Sequence, residues 1–124
     1  MAVKIKICGI TNLKDALTAI DYGADALGFV LAKSKRQISL NQAKKIIKNL
    51  PPFVTTVAVV VNENKGDLNK IINAGIFNAI QLHGEENPSI CRYLKNKITV
   101  IKVLRLKDKK SFKHCRDSRS RSWD

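Results

Sequence analysis

The feature that most constrains the fold is a regular alternation of short apolar runs with segments of helical spacing. Five runs rich in β-branched residues predict strands, at residues 3–7, 26–31, 55–61, 78–82 and 98–104. The segments between them place apolar residues three and four positions apart, which predicts helices at about 12–22, 39–50, 65–74 and 88–96. Because a helix separates each strand from the next, the strands require right-handed crossovers and a parallel sheet. We therefore expect an α/β protein.

Local signals agree with these helices. Asn12 is expected to cap the first helix and Gly23 to end it, whereas a pair of prolines after residue 50 stops the second. Both an open doubly wound sheet and part of a closed (β/α)8 barrel satisfy the pattern, and the spacing of the repeats does not separate them.

Composition excludes several classes of protein. With 44% hydrophobic and 27% charged residues, the 124-residue chain is typical of globular proteins, but it is well short of the roughly 200 to 250 residues of a complete barrel. No apolar run approaches the length of a membrane span, and residues 1–10 do not resemble a signal peptide, so we expect no membrane partner and a cytoplasmic location. Three unevenly spaced cysteines suggest neither disulfides nor a metal site.

The net charge of +13 is unevenly distributed. Residues 1–106 carry 16 basic and 7 acidic side chains, whereas the last 18 residues carry 7 and 3 and lack apolar periodicity. We expect two parts, an N-terminal half of a barrel at 1–106 and a basic tail at 107–124 that is disordered or the product of a frameshift. His114 and Cys115 lie in this tail and receive no role.

Unusual residues cluster where the predicted strands end. The first strand ends in Lys-Ile-Cys-Gly-Ile-Thr at residues 6–11, Gly-Phe-Val at 28–30 precedes Ser-Lys-Arg at 34–36, Val-Asn-Glu ends the third strand at 61–63, and Gln-Leu-His-Gly occupies 81–84. In parallel α/β folds, reactive groups collect at the carboxyl ends of the strands. These four segments are therefore the candidate site.

In this order and separation, the four segments resemble the phosphoribosylanthranilate isomerase family over about residues 3–106. The resemblance implies a (β/α)8 TIM barrel, of which about the first five strands and four helices are present. It also implies an enzyme of tryptophan biosynthesis that converts N-(5-phosphoribosyl)anthranilate into 1-(2-carboxyphenylamino)-1-deoxyribulose 5-phosphate. This Amadori rearrangement is an isomerisation that needs general acid and base groups but no cofactor and no metal.

The resemblance also assigns residues. Cys8 matches the family's general base, and Arg36 matches a contact to the anthranilate carboxylate, which a guanidinium binds with two parallel hydrogen bonds. Gln81 and His83 share side-chain parity on the fourth strand, so both should face the barrel mouth as substrate contacts. Taken singly, each residue has an ordinary alternative: a small buried thiol, a solvated loop arginine, or a core imidazole.

The family's general acid is an aspartate after the sixth strand, and its phosphate loops follow the seventh and eighth strands. No aspartate here has a matching context. We therefore expect the 124-residue chain to be inactive alone, and to self-associate through its open barrel edges. Two other functions stay open: another phosphosugar-binding barrel enzyme, or a non-enzymatic basic fragment that binds nucleic acid. The scattered charge and scarce aromatics favour no nucleic-acid partner.

Overall fold

A computed structural model describes residues 3–107, and the expectations for the basic tail fall outside these described residues, apart from Lys107. The predicted order of elements is confirmed, and every bound lies within three residues of the one expected. The strands are β1 (Lys6–Cys8), β2 (Ala26–Val30), β3 (Thr55–Val60), β4 (Ala79–Leu82) and β5 (Thr99–Lys102). The helices are α1 (Leu13–Asp21), α2 (Leu40–Ile47), α3 (Lys65–Asn73) and α4 (Pro88–Lys95).

The five strands form one sheet in the order β1-β2-β3-β4-β5, and every neighbouring pair is parallel. Strand β1 begins three residues later than predicted. As an edge strand it pairs only with β2, and Val3, which is 82% exposed, lies before the ladder. Ile5, the residue before β1, donates its backbone N–H to Asp25 Oδ2 at 2.8 Å, and its carbonyl oxygen accepts from the backbone N–H of Ala26 at 3.1 Å.

Side-chain caps explain where the helices begin. Asn12 accepts a hydrogen bond from the backbone N–H of Asp15, as expected from the sequence. Ser39 and Gln42 form a reciprocal capping box at the start of α2. Asn64 caps α3 in the same way as Asn12, and Asn87 caps α4 by accepting from the backbone N–H of Ser89, two residues on. The start of each helix is therefore set by residues within one turn of it.

The strands alternate between two faces. Ile80 and Leu82 pack with residues of α3 and α4, and Leu27 and Phe29 pack with residues of α1 and α2. Residues between these positions point away from the helices. We call this opposite side the inner face; it carries Lys6, Cys8, Gly28, Val59, Ala79 and Gln81.

None of the helices within residues 3–107 combines the length and the apolar character that crossing a bilayer requires.

Candidate functional site

Cys8 is the last residue of β1 and lies beside Gly28 of β2 in the parallel register. A Cβ atom added to Gly28 would come within 2.9 Å of Cys8 Sγ. The missing side chain of Gly28 therefore provides the space that the thiol occupies on the inner face. Cys8 is exposed, whereas Cys91 is buried in α4. The alternative of a small buried thiol thus describes Cys91 and not Cys8.

Gly9 follows Cys8 in the chain and lies against the side chain of Arg36. Its φ of +92° lies in the left-handed region, which favours glycine, and an added Cβ would meet Arg36 Cδ at 2.7 Å. The aliphatic part of Arg36 therefore lies directly over the backbone that follows Cys8. The β2–α2 loop holds the arginine there, where its backbone N–H donates to Ser34 Oγ at 3.2 Å. Two glycines thus bring Cys8 and Arg36 together.

On the fourth strand, Gln81 and His83 interact with each other as their shared parity predicts. Gln81 Nε2 lies 3.3 Å from His83 Nδ1. The Gln81 residue is only 7% exposed, whereas His83 is exposed. Lys6 reaches across the inner face from β1, and its Nζ donates to Gln81 Oε1. A single chain of hydrogen bonds therefore joins β1 to the end of β4.

The loop that follows His83 is held by a buried carboxylate. Glu86 accepts hydrogen bonds from the backbone N–H groups of Asn62 and Gly84, and Lys102 Nζ lies 2.7 Å from its Oε1. The side chains of Glu86 and Lys102 are 3% and 11% exposed. Three strand ends, those of β3, β4 and β5, are thus joined through one residue.

Gly84 and Asn62 approach each other closely, which explains why residue 84 has no side chain. A Cβ on Gly84 would lie 2.8 Å from Asn62 Oδ1, so no side chain fits there without displacement. Asn62 has a φ of 51°, a conformation that asparagine tolerates better than most residues, and its Oδ1 accepts from the N–H of Glu85 at 3.0 Å. The loop around His83 is therefore tightly packed and well ordered by contacts.

A cavity of about 410 Å³ borders the site. Cys8, Gly9 and Arg36 line one part of it, and the other lining residues include Ile5, Ile7 and residues of α1. Because Ile5 and Ile7 have the opposite parity to Cys8, this cavity is a cleft along the free edge of β1. It is not a pocket at the centre of the inner face.

Within residues 3–107, no three histidine, cysteine, aspartate or glutamate side chains are close enough together to hold a metal ion. All the buried side-chain nitrogen and oxygen atoms in this part of the chain have hydrogen-bond partners. The polar groups that remain available to a ligand are the exposed ones at the strand ends.

Comparison with known proteins decides the family. The family model described as N-(5'phosphoribosyl)anthranilate (PRA) isomerase matches residues 5–121. The chain belongs to this family. A phosphoribosylanthranilate isomerase from Pelobacter propionicus is 49% identical over 110 residues, which cover 88% of this chain and 52% of that protein. One from Thermotoga neapolitana is 46% identical over 119 residues, covering 94% and 58%.

Solved structures of the family agree. The phosphoribosylanthranilate isomerase from Thermotoga maritima superposes with a TM-score of 0.91 at 43% identity, covering 96% of this chain and 58% of that one. A phosphoribosylanthranilate isomerase in complex with reduced 1-(o-carboxyphenylamino)-1-deoxyribulose 5-phosphate gives the same TM-score and covers 62% of that chain. The predicted fold class is confirmed as a partial TIM barrel. The chain spans about half the length of the curated isomerases it matches.

Sequence reasoning missed two features of this candidate site. Lys6 was part of the first motif but received no role, although the parity argument that paired Gln81 with His83 also places Lys6 and Cys8 on one face of β1. The Glu86–Lys102 pair had no local signal, because 16 residues separate its members and only the pairing of β4 with β5 brings them together.

The pKa of Glu86 is lower than its ordinary value of 4.5. Burial alone would raise this pKa, but hydrogen bonds from Lys102 and the backbone N–H of Asn62, with the charge on Lys102, outweigh burial. A carboxyl whose pKa is lower in the folded state stabilises the fold above its unfolded pKa, and this stabilisation is lost as the pH falls through the folded pKa.

We therefore expect the free energy of unfolding to decrease below about pH 4.5 partly because of Glu86. Urea denaturation at a series of pH values measures how the free energy of unfolding changes with pH. The series runs from neutral pH to about pH 3, which covers the ordinary titration of glutamate. Glu86→Gln should be less stable than the unmodified chain at neutral pH, and the difference should shrink as the pH falls. Glu85→Gln, an exposed neighbour, is the control; a constant difference for Glu86→Gln would contradict the assignment.

Proposed function

We propose that this chain supplies the Cys8 side of the active site of a phosphoribosylanthranilate isomerase. The reaction is the Amadori rearrangement of N-(5-phosphoribosyl)anthranilate to 1-(2-carboxyphenylamino)-1-deoxyribulose 5-phosphate. The observation that supports it most is that Gly9 and Gly28 pack Arg36 and Cys8 together at the carboxyl end of the sheet. The complex of a solved relative with a reduced carboxyphenylamino-deoxyribulose phosphate supports the same ligand class.

The chemistry requires an acid and a base. An acid protonates the ribose ring oxygen, so that the ring opens to a Schiff base, and a base removes the proton at C2 to give an enolamine that becomes the ketone. We assign the base to Cys8, which is exposed at a strand end with Arg36 beside it. The resemblance assigns the acid to an aspartate after a sixth strand, and the described residues end after β5.

A hybrid protein tests this proposal. Residues 1–106 of this chain replace the matching segment of the Thermotoga maritima isomerase, and the hybrid is introduced into a tryptophan auxotroph that lacks the isomerase. We expect growth with the hybrid, no growth with its Cys8→Ala variant, and no growth with the 124-residue chain alone. If a folded hybrid fails to support growth, the proposed function is wrong for this chain.

We assign Arg36 to the anthranilate carboxylate. Its guanidinium can form two parallel hydrogen bonds with a carboxylate, which a lysine ammonium does not reproduce. The stem of Arg36 lies against Gly9, the residue after Cys8, and both Arg36 and Cys8 line the same cavity.

The Arg36→Lys variant of the hybrid should raise KM by about 10-fold to 100-fold, since loss of a charge-assisted hydrogen bond costs about 1.5–3 kcal/mol. Steady-state kinetics with N-(5-phosphoribosyl)anthranilate measure the effect. Lys35→Arg, at the exposed neighbouring position, should leave KM unchanged. An unchanged KM for Arg36→Lys would remove Arg36 from the site.

We assign His83 and Gln81 to the substrate side of the same mouth. His83 is exposed at the end of β4 and can meet a ligand directly, whereas Gln81 is buried and interacts with both Lys6 and His83. These contacts favour a direct substrate contact for His83 and a supporting place for Gln81.

We also propose that the partial barrel self-associates. Strands β1 and β5 are the edges of the described sheet, and apolar side chains on them are exposed, among them Ile7 at 41% and Ile101 at 37%. The division of the chain into half of a barrel at residues 1–106 and a basic tail at 107–124 is also a proposal.

The proposed compartment is the cytoplasm. Cys8 can act as a base only as a thiolate, which requires reduced sulfur, and Cys8 and Cys91 are both free cysteines within the described residues. A reducing compartment suits this requirement, because disulfides form mainly in oxidising ones.

A further inference from the structure

Three side chains of the inner face form an ordered chain that ends at the mouth of the site. Lys6 Nζ contacts Gln81 Oε1, and Gln81 Nε2 lies 3.3 Å from His83 Nδ1. Lys6 lies on β1, Gln81 lies on β4 and His83 directly follows β4, and these two strands are separated in the sheet by β2 and β3. They therefore meet only because the sheet curves the inner faces of β1 and β4 toward each other.

The chemistry of the groups sets the direction of every hydrogen bond. A lysine ammonium has donors only, so the atom of Gln81 that faces it must be the amide oxygen. The amide NH2 group of Gln81 then faces His83 Nδ1, and because NH2 also only donates, Nδ1 must accept. A neutral imidazole has one acceptor nitrogen, so its proton is on Nε2.

Burial makes this order hard to reverse. Gln81 is only 7% exposed, so its amide cannot exchange its partners for bulk water without leaving the sheet surface. Turning the amide over would place its NH2 group against the Lys6 ammonium and its oxygen against Nδ1. That arrangement loses the hydrogen bond from Lys6 and leaves the buried NH2 group of Gln81 facing a cation, at a cost of about 1–3 kcal/mol.

We propose that Lys6 and Gln81 are positioning residues that hold His83 as the neutral tautomer with its proton on Nε2. His83 then presents a neutral N–H donor, which suits an oxygen acceptor of the ligand such as a hydroxyl, a ring oxygen or a phosphate oxygen. The identity of that oxygen rests on the proposed function, but the tautomer does not. Lys6 acts through Gln81 and does not need to touch the ligand.

Nitrogen-15 NMR of the full chain tests the tautomer without substrate. His114→Gln leaves His83 as the only imidazole, since the chain has two histidines. Spectra are recorded at alkaline pH, in the range where the ring signals no longer change with pH, so that the neutral ring is the species observed. We expect an Nδ1 signal typical of an unprotonated nitrogen and an Nε2 signal typical of a protonated one. A protonated Nδ1 would overturn the proposal outright.

Variants separate positioning from simple packing. Lys6→Met should produce a mixture of tautomers, and Lys6→Arg, which keeps the donor, should restore the single one. Gln81→Glu should reverse the tautomer, because a carboxylate accepts from Nδ1–H. Lys4→Met changes a lysine on the same segment whose side chain is 82% exposed, and it should have no effect. If folded Lys6→Met and Gln81→Glu both keep the original tautomer, the proposal is wrong.

This outcome is independent of the growth test. A hybrid that fails to support growth while His83 keeps its Nε2 proton would disprove the isomerase role and leave the tautomer intact. Growth of the hybrid together with a protonated Nδ1 would support the isomerase role and disprove the proposed tautomer.

Discussion

Replacing Cys8 with alanine in the hybrid isomerase should lower kcat by about 100-fold to 10,000-fold, the range that loss of a general base produces. KM should change little, because a thiol that removes a proton acts mainly in the transition state. Cys8 is exposed at the end of β1, so the substitution creates no core cavity and should leave the free energy of unfolding nearly unchanged. Steady-state kinetics and urea denaturation of the same preparations measure both quantities.

The matched control for Cys8→Ala is Cys91→Ala. Cys91 lies in α4, is 3% exposed and packs in the core with Ile80 and Leu94, and burial raises the pKa of its thiol. Its replacement should lower stability by about 1 kcal/mol through lost burial and leave kcat unchanged. Loss of a general base should lower kcat by much more than about tenfold. If Cys8→Ala keeps more than about a tenth of kcat, then another group removes the proton.

Replacing Lys102 with methionine should lower the free energy of unfolding of the chain by about 3 kcal/mol. The methionine keeps the apolar stem but removes the only cation close to the buried Glu86 carboxylate within the described residues. The carboxylate keeps its two backbone N–H donors, so the expected loss lies at the low end of the range for breaking a buried pair. The denaturation midpoint in urea, with an unchanged m value, reports the change.

An exposed ion pair provides the comparison for Lys102→Met. Lys70 and Asp67 on α3 lie 3.9 Å apart with side chains 79% and 47% exposed, and Lys70→Met should cost no more than about 0.5 kcal/mol. Adding Glu86→Gln to Lys102→Met should recover part of the loss, because it removes the unpaired charge. Equal losses for Lys102→Met and Lys70→Met would show that Glu86 does not depend on its partner.

The candidate site was predictable in part. Cys8, Arg36, Gln81 and His83 follow from motifs at strand ends, and Gln81 and His83, which share parity, lie 3.3 Å apart in the structure. Their roles with substrate stay predictions. Lys6 was accessible to the same parity argument, whereas nothing in the sequence connected it with Gln81, 75 residues away.

The sequence by itself determined the order of the elements, the helix starts and the parallel sheet. These properties depend on neighbours within a few residues: Asn12 and Ser39 cap their own helices, and each strand is a short apolar run between helices. Only the tertiary structure decided which side chains meet across the sheet. Strand register and sheet curvature bring Glu86 into contact with Lys102 and Lys6 into contact with Gln81. Register and curvature depend in turn on the packing of the whole sheet against its helices.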